Sequence, residues 1–66
     1  MVISLNNETR LLSHEMTIEQ LIIQFNIQSK HFAVEVNQYI IPRSEHSTFV
    51  IKDGDKVEIV TAIGGG

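Results

Sequence analysis

Residues 16–25 read Met16-Thr17-Ile18-Glu19-Gln20-Leu21-Ile22-Ile23-Gln24-Phe25, and this stretch decides the fold. Thr17 has a short hydroxyl side chain that can accept from an unpaired amide of the first helical turn. Gln20 falls three residues later and completes a capping box. Met16 and Leu21 occupy the two positions of a hydrophobic staple. Ile18, Leu21, Ile22 and Phe25 follow the i, i+3, i+4, i+7 spacing of one apolar stripe. Glu19 sits in the first turn, where the helix dipole favours negative charge. The stripe is narrow. The spacing therefore predicts a single helix lying across a sheet rather than one wrapped on all sides.

The segments on either side supply that sheet. Residues 2–6 form an apolar strand that puts Ile3 and Leu5 on one face. Asn6-Asn7-Glu8 is a turn, and residues 9–12 return as the second arm of a hairpin. Beyond the helix, residues 32–36 alternate, with Phe32, Val34 and Val36 facing inward. Asn37-Gln38 turns the chain into residues 39–41. Pro42 stops that strand and marks it as an edge, because proline cannot donate to a ladder. Residues 43–48 are polar, with room for one helical turn, and residues 49–51 return to the core. Lys52-Asp53-Gly54-Asp55 is a turn in which Gly54 supplies the unusual backbone conformation. Residues 56–61 are the last strand, with Val57 and Ile59 on one face and Glu58, Val60 and Ala62 on the other. A small mixed sheet with one helix across one face is an α+β fold. The expected organisation is one domain over residues 1–63 and a flexible glycine tail over 64–66.

The 66 residues include no cysteine. No disulfide stabilises the small core, and no thiol is present to act as a nucleophile or to hold sulfur as a persulfide. A net charge of −3 argues against nucleic acid, as does the scatter of Arg10, Lys30, Arg43, Lys52 and Lys56. Phosphate backbones call for a basic patch. No apolar run approaches the roughly 20 residues that span a bilayer. No export signal is visible at the start, so no membrane association and a soluble, cytoplasmic setting are expected.

The last strand runs straight into Ala62-Ile63-Gly64-Gly65-Gly66. At an average glycine usage of about 7%, three in succession at a fixed place arise by chance about 3 times in 10,000. Glycine-rich ends are also common as frayed termini and linkers. Here, however, no polar spacer separates the glycines from the strand. A tail without side chains, anchored by a strand and tipped by the Gly66 carboxylate, suits insertion into a narrow channel of another protein. Residues 61–66 reach at most about 20 Å when extended.

Other chemistry is weakly represented. No phosphate loop or dinucleotide turn occurs. His14, His31 and His46 match no zinc spacing, so no metal site is expected, and all three read as surface or half-buried residues. Ser44-Glu45-His46 is a run along the chain, whereas catalytic triads assemble in space. Asp53 and Asp55 lack the glutamate that completes a calcium loop and read as turn residues. No catalytic residue is assigned, and the chain is not expected to be an enzyme by itself.

Val36-Asn37-Gln38 with Ile41-Pro42-Arg43, then Asp53-Gly54-Asp55 leading into Val57-Glu58-Ile59-Val60, and the closing glycines resemble the ThiS-type sulfur carrier proteins of thiamine biosynthesis. The resemblance covers the full length. It departs in having three terminal glycines where two suffice for the family. It implies the β-grasp, ubiquitin-like fold. It also implies that a ThiF-type adenylating enzyme, related to ubiquitin-activating enzymes, uses ATP to activate the carboxylate of Gly66. A sulfur donor such as a cysteine desulfurase would then convert it to a thiocarboxylate. A ThiG-type thiazole synthase would take that sulfur into the thiazole ring. This chain itself would bind no cofactor.

An α-carboxylate has a pKa near 3.5 and is a poor electrophile at neutral pH, which is the physical reason activation is needed. Gly64 and Gly65 would thread the partner's channel. Val60, Ala62 and Ile63 would form an exposed apolar docking patch beside the tail, although isolated surface apolar residues are also ordinary. Arg43 would pair with an acidic partner or stay solvated. Three alternatives remain at this point. The chain could serve molybdenum cofactor or another thiolated metabolite, it could be a ubiquitin-like protein modifier, or it could be a plain interaction module with an idle tail.

Overall fold

The computed structural model describes residues 1–28 and 31–61. Strands β1 (Val2–Leu5) and β2 (Glu8–Leu11) form the N-terminal hairpin. Its two-residue turn is possible because Asn6 and Asn7 take φ values of 50° and 67°, a region asparagine tolerates better than most residues. That tight turn pairs Glu8 with Leu5, so β2 starts one residue earlier than the sequence suggests. Leu12 is buried beyond the strand, its N–H donating to the Met1 carbonyl at 2.8 Å.

A short β3 (Met16–Thr17) leads directly into α1 (Ile18–Gln24). The capping box forms as read. The Gln20 N–H donates to the Thr17 hydroxyl at 3.2 Å, and the Thr17 N–H donates to the Gln20 side chain at 2.9 Å. Strands β4 (Phe32–Val36) and β5 (Tyr39–Ile41) form the second hairpin. Its turn is again left-handed, with Asn37 at φ 53° and Gln38 at 72°. After Pro42 comes one 3-10 turn (Arg43–Glu45), then β6 (Val50–Ile51) and β7 (Lys56–Thr61).

Five strands form one sheet in the order β2-β1-β7-β4-β5. The β1–β7 pairing is parallel and the others are antiparallel. β7 is therefore the central strand, and β5 is an edge, as Pro42 demands. A second, two-stranded sheet pairs Met16 with Ile51 and Thr17 with Val50. The sequence reading has only a staple at Met16 and a return to the core at residues 49–51. Two-residue strands carry no alternation to recognise.

Ile3, Leu5, Val34, Val36, Val57 and Ile59 line the sheet's inner face and pack with Ile18 and Leu21 of the helix. Ile18 and Leu21 are each 0% exposed, which stabilises the fold by about 1.5–3 kcal/mol per side chain. Ile22, Phe25 and Phe32 are half-buried at the margin. The expected α+β arrangement is present. Among the described residues no helix is long and apolar enough to cross a membrane.

His46 corrects one expectation. It is buried rather than at or near the surface, whereas His14 and His31 are exposed. A carbonyl can only accept, so His46 Nε2 carries the proton that bonds the Ile41 carbonyl at 3.0 Å. The ring stacks on Phe32 with centroids 6.0 Å apart. One hydrogen bond and one stacking partner make burial of this imidazole affordable.

Candidate functional site

The candidate site is the place where β7 delivers the chain beyond Thr61. Both ends of β7 are fixed by side chains. At its start the Lys56 N–H donates to Asn37 Oδ1 at 3.0 Å, while the Asn37 N–H donates to the Lys56 carbonyl at 2.8 Å. Asn37 Nδ2 also donates to Asp55 Oδ1 at 3.0 Å, and Asp55 Oδ2 accepts from the Lys52 N–H at 2.8 Å. Asp53 Oδ1 accepts from the Val2 N–H at 2.6 Å, tying the turn to β1. Gly54, at φ 86°, donates its N–H to the Val2 carbonyl at 2.7 Å. Asp53 and Asp55 are thus turn residues, and Gly54 supplies the bend expected of it.

The exit of β7 is held differently. β1 ends at Leu5, but β7 continues to Thr61. The Asn6 side chain takes the place of the missing strand. Its Oδ1 accepts from the Ile59 N–H at 2.7 Å, and its Nδ2 donates to the Ile59 carbonyl at 3.2 Å. On the other side β4 stays paired to the end, with Val60 opposite Ala33 and Thr61 opposite Phe32. Two hollows of about 340 and 330 Å³ flank this exit. One lies over Asn6, Asn7 and Glu58, the other over His31, Phe32 and Ala33.

Among the sequence-derived site residues, Val60 is described, and it is 53% exposed on the face turned away from the helix. Ala62, Ile63, Gly64, Gly65 and Gly66 lie outside the described residues, as does the domain boundary expected at residue 63. The structure joins other groups to Val60 on that face. Ala33 is its direct neighbour, and Glu35 faces Glu58 in the next outward register position. Ile40 lies opposite Glu35 and is 71% exposed. Alternation places each of these residues outward, but the pairing register that gathers them is not written in any one strand.

Arg43 has a defined seat. Its guanidinium lies 4.7 Å from the centroid of Phe32, a cation–π contact beside the residue that pairs with Thr61. Ser44, Glu45 and His46 do not assemble a triad, because His46 Nε2 is committed to the Ile41 carbonyl. Among the described residues no three His, Asp or Glu side chains are placed to hold a metal ion.

One helix across a five-stranded mixed sheet, with the parallel β1–β7 pair joining its two hairpins, defines a β-grasp protein whose central strand, β7, ends at Thr61. The crystal structure of a thiamine biosynthesis protein (ThiS) from Geobacter metallireducens superposes with a TM-score of 0.88 at 25% identity, covering all of both chains. The ThiS family model matches residues 3–66, and the chain belongs to that family. The sulfur carrier protein ThiS of Escherichia coli is 27% identical over 66 residues, again covering all of both chains. A thiazole synthase of Paramagnetospirillum magneticum is 42% identical over all 66 residues, and the chain spans 20% of that protein's length.

Proposed function

We propose that this chain is a sulfur carrier for thiazole formation in thiamine biosynthesis, and that Gly66 is the residue modified. The observation that carries this reading is that the family match runs through Gly66. The chain also aligns end to end with a protein named as a sulfur carrier. In the first step the Gly66 carboxylate attacks the α-phosphorus of ATP on a ThiF-type enzyme. Pyrophosphate leaves, and the carboxyl carbon becomes an acyl adenylate. In the second step the terminal sulfur of a cysteine persulfide on a desulfurase-type donor attacks that carbon and expels AMP, giving an acyl disulfide; a thiol then cleaves the S–S bond, leaving the thiocarboxylate and a disulfide between that thiol and the donor's cysteine. A ThiG-type thiazole synthase consumes the thiocarboxylate. That last partner is supported by the thiazole synthase whose own sequence contains a stretch resembling this whole chain.

The fold's contribution is placement. β7 is held by β4 on one side and by Asn6 on the other, so the tail leaves from a fixed point. No side chain of this chain needs to touch ATP. The test is intact mass after incubation with ATP, a ThiF-type enzyme and a sulfur source. Exchange of one oxygen for sulfur, located by fragmentation at Gly66, is the expected result. An unchanged mass under conditions where a known carrier reacts refutes the assignment.

A further inference from the structure

Phe32 of β4 lies opposite Thr61 of β7, and the backbone does little to hold that pair together. Ile59 directs both its N–H and its carbonyl to the Asn6 side chain. These groups alternate between the two edges of a strand, so Val60 directs its own to Ala33 and Thr61 turns away from β4. Phe32 and Thr61 therefore form a non-hydrogen-bonded pair, the kind in which side chains approach closest. Side-chain contact must keep β4 seated there.

That contact comes from the 3-10 turn after β5. Side chains three residues apart eclipse in such a turn. Arg43 and His46 have this spacing, and both reach the half-buried Phe32 ring. The guanidinium lies 4.7 Å from the ring centroid, and the imidazole stacks at 6.0 Å with 23° between the planes. Both kinds of contact stabilise beyond the area they bury. The turn is itself anchored. His46 Nε2 donates to the Ile41 carbonyl at 3.0 Å, and the His46 carbonyl accepts from the Glu19 N–H of α1 at 2.9 Å. One buried residue thus joins the edge strand, the helix start and the ring opposite Thr61.

We propose that Phe32 is a positioning residue for the carrier reaction: clamped by Arg43 and His46, it holds β4 against Thr61, so that the chain beyond starts from one place. The kinetic consequence rests on the function proposed above, whereas the clamp belongs to the isolated domain. A strand pair at the margin of a sheet opens at little cost in free energy. A carrier with this pair open must close it on entering an activating enzyme, and its apparent affinity falls with the closed fraction. Once the carrier is bound, the chemistry at the carboxylate is the same. The clamp therefore acts on KM rather than kcat.

The experiment compares Phe32→Leu, which keeps an apolar side chain without a ring, with Phe32→Tyr, which keeps the ring. Amide exchange of the isolated chain is read first. In Phe32→Leu the Ala33 and Val60 N–H groups should exchange about tenfold faster, while those of Glu35 and Glu58 keep their wild-type rates. Phe32→Tyr should match wild type. Arg43→Gln leaves β4 untouched and should raise the same two rates about threefold. ATP–pyrophosphate exchange by the ThiF-type enzyme, with the carrier as varied substrate, is read second. KM should rise about threefold to tenfold in Phe32→Leu at unchanged kcat, and return to the wild-type value in Phe32→Tyr. Unchanged Ala33 and Val60 exchange in Phe32→Leu overturns the proposal. Equal acceleration at Glu35 and Glu58 does so too, because it marks general destabilisation, and so does a fall in kcat alone. Should Phe32→Leu fail to fold, unchanged Ala33 and Val60 exchange in Arg43→Gln overturns it instead. Absence of pyrophosphate exchange with the wild-type carrier overturns the sulfur-carrier function, and the clamp then stands or falls by amide exchange.

Discussion

Replacing Asn6 measures how firmly the fold holds the point from which the tail departs. The Asn6 side chain makes two part-buried hydrogen bonds to the backbone of Ile59, at 2.7 and 3.2 Å. At about 0.5–1.5 kcal/mol net for each bond, their loss costs about 1–3 kcal/mol. Asn6 also has φ 50°, and a non-glycine residue held in that left-handed region costs about 1–2 kcal/mol. Asn6→Gly removes the bonds without the backbone penalty, whereas Asn6→Ala carries both, for about 2–5 kcal/mol. A domain of 66 residues, at about 0.05–0.15 kcal/mol per residue, has about 3–10 kcal/mol in total. A loss of about 2 kcal/mol in Asn6→Gly should lower the melting temperature by about 8–16 °C. Urea unfolding followed by circular dichroism gives the free energies, and amide exchange locates the effect. The Ile59 N–H should exchange faster, while that of Val57 stays protected. If Asn6→Gly unfolds within about 0.5 kcal/mol of wild type and Ile59 is equally protected, the latch contributes nothing and the reasoning is refuted.

Leu21→Ala empties a position that is 0% exposed and should cost about 2–5 kcal/mol, lowering the midpoint of a thermal melt by at least about 8 °C. Gly54→Ala meets open space around its added carbon, so the cost should be backbone strain at φ 86° alone, about 1–2 kcal/mol in urea unfolding. On the proposed function, Gly65→Ala should leave the melting temperature unchanged while slowing pyrophosphate exchange, because the added methyl would obstruct passage of the tail into a narrow channel. An unfolded Gly65→Ala chain would show that the tail is packed against the domain.

The parts of this fold that sequence discloses are those encoded locally. Thr17 and Gln20 are three residues apart and specify the helix start between themselves. Val34 and Val36, or Val57 and Ile59, declare their common face by alternation. Pro42 announces an edge by lacking an N–H. What stays hidden depends on partners distant in the chain. Asn6 reads as a turn residue, and nothing in its neighbourhood points to Ile59. Met16 and Ile51 form a ladder too short to have a period. Glu35 and Glu58 become a pair only when the register of β4 against β7 is known. His46 looks like a surface histidine until the Ile41 carbonyl and Phe32 are placed around it. Within the candidate site, Val60 follows from alternation, but its companions Ala33 and Ile40 follow from pairing.

The parallel pairing of β1 with β7 joins the first strand of the chain to the last. During synthesis β1 must wait, with only β2 beside it, until residues 56–61 have left the ribosome. Closure of so long a loop makes the central ladder a late and slow event of folding. A nascent chain cut short before residues 56–61 therefore lacks the keystone of its sheet, and with it the fixed point that β4 and Asn6 hold.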